Sequence, residues 1–205
     1  LRGVLAGEIL IQNHCYRADE MATVLDMARE FGYKVTAFHH AVEAYKISNL
    51  LADNGVCAAI WADWWAFKME SYDGIPENLA LVDAAPGGCA IVHSDSEEGI
   101  QRLNQEAAKG MAYGARMGRE ITPEHAILWL TANPAKSLGI EARTGTLEIG
   151  KAADVVVWNG NPFSVYALTE KIYIDGALRF DRSAPRELPE SDFLLGQPAA
   201  AGVIR

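Results

Sequence analysis

Up to about residue 139, short apolar runs alternate with segments that repeat at helical spacing. Residues 8–15 (EILIQNHC) are strand-like, and Met21, Leu25, Ala28 and Phe31 then recur on one side of a predicted helix that stops at Gly32. Residues 33–40 (YKVTAFHH) form the next predicted strand, followed by a helix ending near Gly55. A third strand is predicted over residues 56–61 (VCAAIW), then a short helix, and a fourth strand at CAIVH, residues 89–93. A long helix follows, with Ile100, Leu103, Ala107 and Met111 on one side. TPEHAILWLTANPAKSLG reads as one more helix, N-capped by Thr122 with Pro123 in its first turn.

Parallel neighbours need crossover connections, so four strands alternating with helices imply βαβ units. Near-continuous apolar strands suit a sheet covered on both faces. Beyond residue 139 the pattern changes to short strands and Gly-containing turns, and Asp175-Gly176 signals a hairpin. The expected organisation is therefore an α/β body over residues 1–138, a small β unit over 139–182, and a Pro-, Ala- and Glu-rich extension over 183–205.

Composition narrows the function classes. The 205 residues carry a formal charge of -9 and no basic stripe, which argues against a nucleic-acid partner. No apolar run approaches a membrane span, so no membrane partner is expected. Cys15, Cys57 and Cys89 are widely spaced in apolar segments and read as buried free thiols, which suits a reducing compartment such as the cytoplasm. The chain opens directly on structured sequence without an initiating Met, and reads as the middle of a longer protein.

The candidate chemistry lies at strand ends. His14, His40 and Asp95 fall one and then two βα units apart, taking a unit as roughly 30 residues. Imidazole and carboxylate together suit zinc or a similar divalent ion. Each residue has an ordinary alternative: a hydrogen-bonded rim histidine, or a helix N-cap for Asp95, a place Ser94 or Ser96 could also fill. Of His39 and His40, alternation lets only one face the interior, and His93 is expected to pack or to support Asp95. Arg17 could clamp a carboxylate or pair with Asp19 or Glu20. The cluster of Trp61, Trp64 and Trp65 could wall a substrate pocket or fill a loop core. His125, inside a helix, is expected to be structural. There is no phosphate-binding loop, GxSxG elbow or dinucleotide fingerprint.

The stretches NHCYRADEM, FHHAVEAYK, IVHSDS and LTANPAKSLGIEARTGTLEIGKAADVVVWNGNPF together resemble the C-terminal part of metal-dependent amidohydrolases of the imidazolonepropionase-like branch. The resemblance implies a partial (β/α)₈ barrel, about strands 5–8 with their helices, plus strands of a composite β-sandwich. It implies metal ligation by His14, His40 and Asp95, with one or two divalent ions, most simply zinc, and proton transfer by Asp95. Tyr16, Arg17 and Trp61 are then candidate substrate contacts. The implied reaction is hydrolysis of a non-peptide C–N bond in a small amide-type substrate by metal-activated water. The family's HxH pair on strand 1 and its acidic or carboxylated-Lys ligand on strand 4 have no counterpart here. Completion by an N-terminal portion, or homo-oligomerisation, is therefore expected. The alternatives are a catalytically incomplete protein that self-associates, and a dipeptidase- or carboxypeptidase-type member of the same superfamily.

Overall fold

A computed structural model describes residues 1–184, so the expected C-terminal extension falls, from residue 185 onward, outside the described residues. After one helical turn at Arg2–Leu5, the chain forms β1 (Ile11–Cys15), α1 (Ala18–Phe31) and β2 (Val35–His40). A 3₁₀ turn at Ala44–Ile47 then leads into α2 (Ser48–Asp53), β3 (Cys57–Ile60), α3 (Asn78–Ala84) and β4 (Ala90–Val92). A second 3₁₀ turn at Gly99–Arg102 opens α4 (Leu103–Arg116). The apolar stripe of α1 is buried through Met21, Leu25 and Ala28. Gly32 ends the helix at φ 74°, in the left-handed region that a residue without Cβ enters freely.

The four strands make a parallel sheet in sequential order, β1-β2-β3-β4, which bears out the α/β class. One face, bearing Phe38, Ala58, Ile60, Ala90 and Val92, packs with helix residues Met21, Leu25, Leu79, Val82, Ala107 and Trp129 in the main core. At about 1.5–3 kcal/mol for each large apolar side chain fully buried, this face supplies most of the driving force. The opposite face holds a smaller cluster, Ala37, Cys57, Ala59, Cys89 and Ile91. No described helix is long and apolar enough to cross a membrane.

Two expectations need correction. The segment read as one helix after Thr122 is broken into α5 (Pro123–Ala126), a 3₁₀ turn (Ile127–Leu130) and α6 (Ala132–Ser137). Thr122 does cap it, accepting a hydrogen bond from the His125 N–H at 3.3 Å. The break at Thr131 follows from Pro134, whose ring cannot coexist with a helical carbonyl four residues earlier. The break lets α6 reach the start of the strands: Asn133 Nδ2 donates to the Ala90 carbonyl at 2.7 Å and Gln12 Nε2 donates to the Ser137 carbonyl at 3.1 Å. The second correction concerns the thiols. Cys57 and Cys89 are joined by a disulfide and only Cys15 is free, so the argument for a reducing compartment loses its main premise. Cys57 and Cys89 each stand one residue before the paired Ala58 and Ala90, so strand pairing places them side by side, a proximity that linear spacing hides.

The C-terminal strands β5 (Val155–Trp158), β6 (Thr169–Ile174) and β7 (Ala177–Asp181) form an antiparallel sheet in chain order. Asp175 and Gly176 sit at φ 50° and 76°, the two positive values that a type I′ hairpin requires. Val156, Ile174 and Leu178 on this sheet remain exposed.

Gly88, in the turn between α3 and β4, marks a close backbone approach. A Cβ there would stand 2.1 Å from the Val82 carbonyl oxygen. Gly88→Ala is expected to destabilise the protein by about 1–3 kcal/mol, read as a lowered urea midpoint. An unchanged midpoint would contradict this packing.

Candidate metal centre

The C-terminal ends of β1, β2 and β4 converge on a cluster of imidazoles. His14 pairs with His39 in the strand register, and Cys15 with His40. His14 Nδ1 lies 2.7 Å from His40 Nε2. On the other side of the ring, His40 Nδ1 is 3.1 Å from Asp95 Oδ2 and 3.2 Å from His93 Nε2. A neutral His40 with its proton on Nδ1 satisfies the carboxylate and leaves Nε2 to accept from His14. Donor atoms of His40, His93 and Asp95 all lie within 4.8 Å of one another, a set that could hold a metal ion. The sequence-predicted trio is thus brought to one place, with His93 added to it.

His39 joins as well, against the alternation argument. Its Nε2 is 2.7 Å from Gln12 Oε1, and its ring stacks on His14 at 5.2 Å and meets His93 edge-on at 5.6 Å. Both neighbours reach the cluster because the backbone leaves the extended region at the strand end: His40 has φ 68° and Ala41 φ 40°. Left-handed backbone at two successive residues with Cβ atoms costs of order 1–3 kcal/mol each unless the surroundings hold it. Here they do. The buried amide of Asn78 donates through Nδ2 to the carbonyls of Ala41 (3.0 Å) and Val42 (2.9 Å), and its Oδ1 accepts from Tyr45 N–H at 2.8 Å. Ala41 N–H also donates to the Cys15 carbonyl at 3.0 Å. Nothing in the local sequence announces this turn.

Asp95 is not spent as a cap. Ser96 Oγ accepts from Gly99 N–H at 3.0 Å and Ser94 Oγ accepts from Ser96 N–H at 3.1 Å, so the serines do that work. Trp61, buried at the end of β3, donates its Nε1–H to Asp95 Oδ2 at 3.0 Å. Its indole also packs on His40 at 4.7 Å and lies parallel to His93 at 5.9 Å. Tyr16 stacks on the His40 ring at 4.7 Å. Arg17 turns away to Asp19, with bonds of 3.0 and 3.3 Å, on the exposed side of α1. His125 pairs with the buried Asp83 at 2.7 Å on the outside of the sheet, in keeping with a structural role.

Burial pushes the His40 and His93 imidazoles down to about 4, only partly offset by the Asp95 charge. Both are neutral near pH 7, the form that can ligate a metal.

Residues 83–182 match the amidohydrolase family model. The whole chain aligns at 33% identity with amidohydrolase tasK of Hapsidospora irregularis, spanning 21% of that protein. It is 54% identical over 118 residues to imidazolonepropionase of Shewanella oneidensis, which is 53% of this chain and 25% of the enzyme. The crystal structure of an amidohydrolase from Thermotoga maritima superposes with a TM-score of 0.77 at 34% identity, covering 88% of this chain and 46% of that one. Over residues 83–182 the chain carries an amidohydrolase family domain. The resemblance read from the sequence is borne out, including its imidazolonepropionase-like character. The chain spans less than half the length of these relatives.

Two outcomes follow from the site. In the metal-free protein, His40 and His93 stay unprotonated below the ordinary histidine value of 6.5, whereas the unfolded chain takes up protons there. Their contribution to stability is complete above about pH 6.5 and is lost as pH falls toward about 4. Urea midpoints should decline over that window, and His93→Asn should flatten the decline. Asn78→Ala leaves two carbonyls and one N–H without partners, and should cost at least about 2 kcal/mol. It should also weaken metal binding by releasing His40, measurable by equilibrium dialysis.

Proposed function

We propose that this chain carries the site of a metal-dependent amidohydrolase that cleaves a non-peptide C–N bond in a small amide-type molecule. The observation that carries the reading is the convergence of neutral imidazoles and one accessible carboxylate at the C-terminal ends of adjacent parallel strands. Sequential parallel order and the likeness to the Thermotoga maritima amidohydrolase support a partial (β/α)₈ barrel, with residues 139–182 contributing to a β-sandwich. The outer edges of β1 and β4 suit completion by further strands, from a complementing segment or a second copy.

The donor set fits a divalent ion, zinc being the simplest choice for imidazole and carboxylate. His14, His40 and Asp95 are the residues proposed to hold it, with His93 as an additional donor beside them. A bound ion supplies polarisation of the scissile carbonyl and a lowered pKa for water. The side chains do the rest. Asp95 Oδ2 is held by Trp61 and His40, whereas Oδ1 has no hydrogen-bond partner among the described residues and is the atom proposed to take and return a proton. Trp61 fixes the carboxylate and excludes water from its inner side. Tyr16 forms one wall over His40 and Arg17 stands at the rim.

The test is metal analysis joined to a hydrolysis screen of amides, lactams and dipeptides. About one divalent ion per chain is expected, lost in His40→Ala, and Asp95→Asn should lower turnover at least about hundredfold. Cleavage confined to dipeptides would favour the peptidase alternative. A metal-loaded protein that cleaves nothing would sink the hydrolase reading.

A further inference from the structure

The disulfide between Cys57 and Cys89 lies at the opposite end of the strands from the imidazole cluster, yet it closes the stretch of chain that shapes that cluster. Cys57 opens β3 and Cys89 immediately precedes β4, so the bond spans 32 positions and encloses β3, the loop after it and α3. Three side chains inside that stretch hold the site. Trp61 donates to Asp95 Oδ2, and Asn78 donates to the carbonyls of Ala41 and Val42 behind the His40 turn. Lys68 Nζ donates to Tyr16 Oη at 2.6 Å, at the ring that stacks on His40. The loop that presents Lys68 is folded by the fully buried Ser71, whose Oγ donates to the Lys68 carbonyl at 3.0 Å.

The bond also secures the shortest pairing in the parallel sheet. β3 and β4 share three paired positions, Ala58 with Ala90 through Ile60 with Val92, where β2 and β3 share four and β1 and β2 five. β4 is an outer strand of the described sheet and leads straight to His93 and Asp95. A short edge pairing opens more readily than longer ones, because fewer backbone bonds and less buried surface resist it. Cys89, Ile91 and His93 follow at the two-residue spacing of one sheet face, which puts the disulfide and His93 on one column, roughly 13 Å apart. Both cysteines are buried in the cluster with Ala37, Ala59 and Ile91. Their cover is α6, a six-residue helix whose Asn133 carbonyl lies 4.0 Å from Cys57 Sγ and whose Asn133 Nδ2 donates to the Ala90 carbonyl. Cys15 packs in the main core on the other face of the sheet and is not placed to exchange with either sulfur.

We propose that the Cys57–Cys89 pair is a redox control on the candidate metal centre: the oxidised chain holds the ion, and reduction loosens β4 and weakens that hold. The step is thiol–disulfide exchange with a dithiol reductant. One thiolate of the reductant attacks a sulfur of the pair, the bond between Cys57 and Cys89 breaks, and a mixed disulfide forms. The second thiol of the reductant then displaces the protein sulfur. Two electrons and two protons have passed to Cys57 and Cys89, and the dithiol has become a cyclic disulfide. With the bond gone, the short ladder is left to hold β4 to β3. The loosening reaches His93 along the strand, Asp95 beyond it, and Trp61 and Asn78 in the stretch no longer closed. Coupling is reciprocal, so a bound ion resists the reduction to the same degree. This inference rests on the metal-centre reading of the same site.

The test measures thiols, zinc affinity and far-UV circular dichroism on the same full-chain samples. Of the three cysteines, one should react with a thiol reagent in the denatured oxidised chain and all three after treatment with a dithiol. The dithiol is removed without air, and zinc affinity is read by competition with a chromophoric chelator. Reduction is expected to weaken zinc binding roughly ten- to hundredfold, within the usual range for coupled sites, with the dichroism unchanged and the affinity restored by reoxidation. The double variant Cys57→Ala/Cys89→Ala has neither the bond nor free thiols to take up zinc there, and should bind as weakly as the reduced wild type. Where that variant does not fold, the wild type, reduced after folding, decides. Three thiols before any dithiol is added, or a pair that no dithiol reduces in the folded chain, overturns the proposal. So does a double variant that binds zinc as tightly as the oxidised chain, or a reduced chain that has lost its dichroism, which would mark a staple for the whole fold. Equal affinity in both states overturns the control alone, whereas an oxidised chain that binds no zinc overturns the metal-centre reading and the control with it.

Discussion

The left-handed turn at His40 and Ala41 is the constraint on which the site depends. An extended strand would send His39 and His40 to opposite faces, leaving one of them in the helix-packed core. The turn rotates His40 until its two ring nitrogens face His14 on one side and His93 with Asp95 on the other. Such backbone persists only where surrounding groups over-determine it, and the amide of Asn78 does so from the start of α3. One buried side chain on a helix therefore decides where an imidazole at the end of a neighbouring strand points.

The electrostatics follow from the same packing. Imidazoles enclosed by one another and by Trp61 cannot readily take up a proton, because burial penalises the cation more than the single Asp95 charge favours it. Their lone pairs stay available. Asp95 sits farther out, less buried than His40 and His93, with one oxygen fixed by Trp61 and the other without a partner among the described residues. The site thus combines rigid neutral donors with one carboxylate that solvent and substrate can reach. Lys68, held by a loop with its own buried serine anchor, adds a positive charge at the rim of an otherwise acidic protein.

Much of the frame was legible residue by residue. The period of Met21, Leu25 and Ala28 announced α1, Gly32 its end, Thr122 a cap and Asp175-Gly176 a hairpin, since each depends on contacts within a few positions. The interval between His14, His40 and Asp95 placed them at strand ends, because one βα unit uses a nearly constant length of chain. Alternation failed at His39, since it presumes extended backbone throughout. The helix after Thr122 was read too long, because the apolar residues before and after Pro134 share a helical period that the proline interrupts. Lys68 carried no signal at all. A lysine in an aromatic loop looks like any solvated charge until Tyr16, fifty-two positions away, is seen beneath it.

The sequence by itself determined the strand–helix alternation, the resemblance to amidohydrolases and three of the residues gathered at the candidate centre, since local periodicity and motif spacing are properties of the linear chain. Tertiary structure alone decided that His39 and His93 share that centre, that Cys57 and Cys89 are bonded, and that Lys68 lies over Tyr16 with no carboxylate partner among the described residues. Each of those depends on strand register, on a strained turn held by a distant amide, or on which charges find partners. These are relations between segments far apart in the chain, and the fold creates them by bringing those segments together.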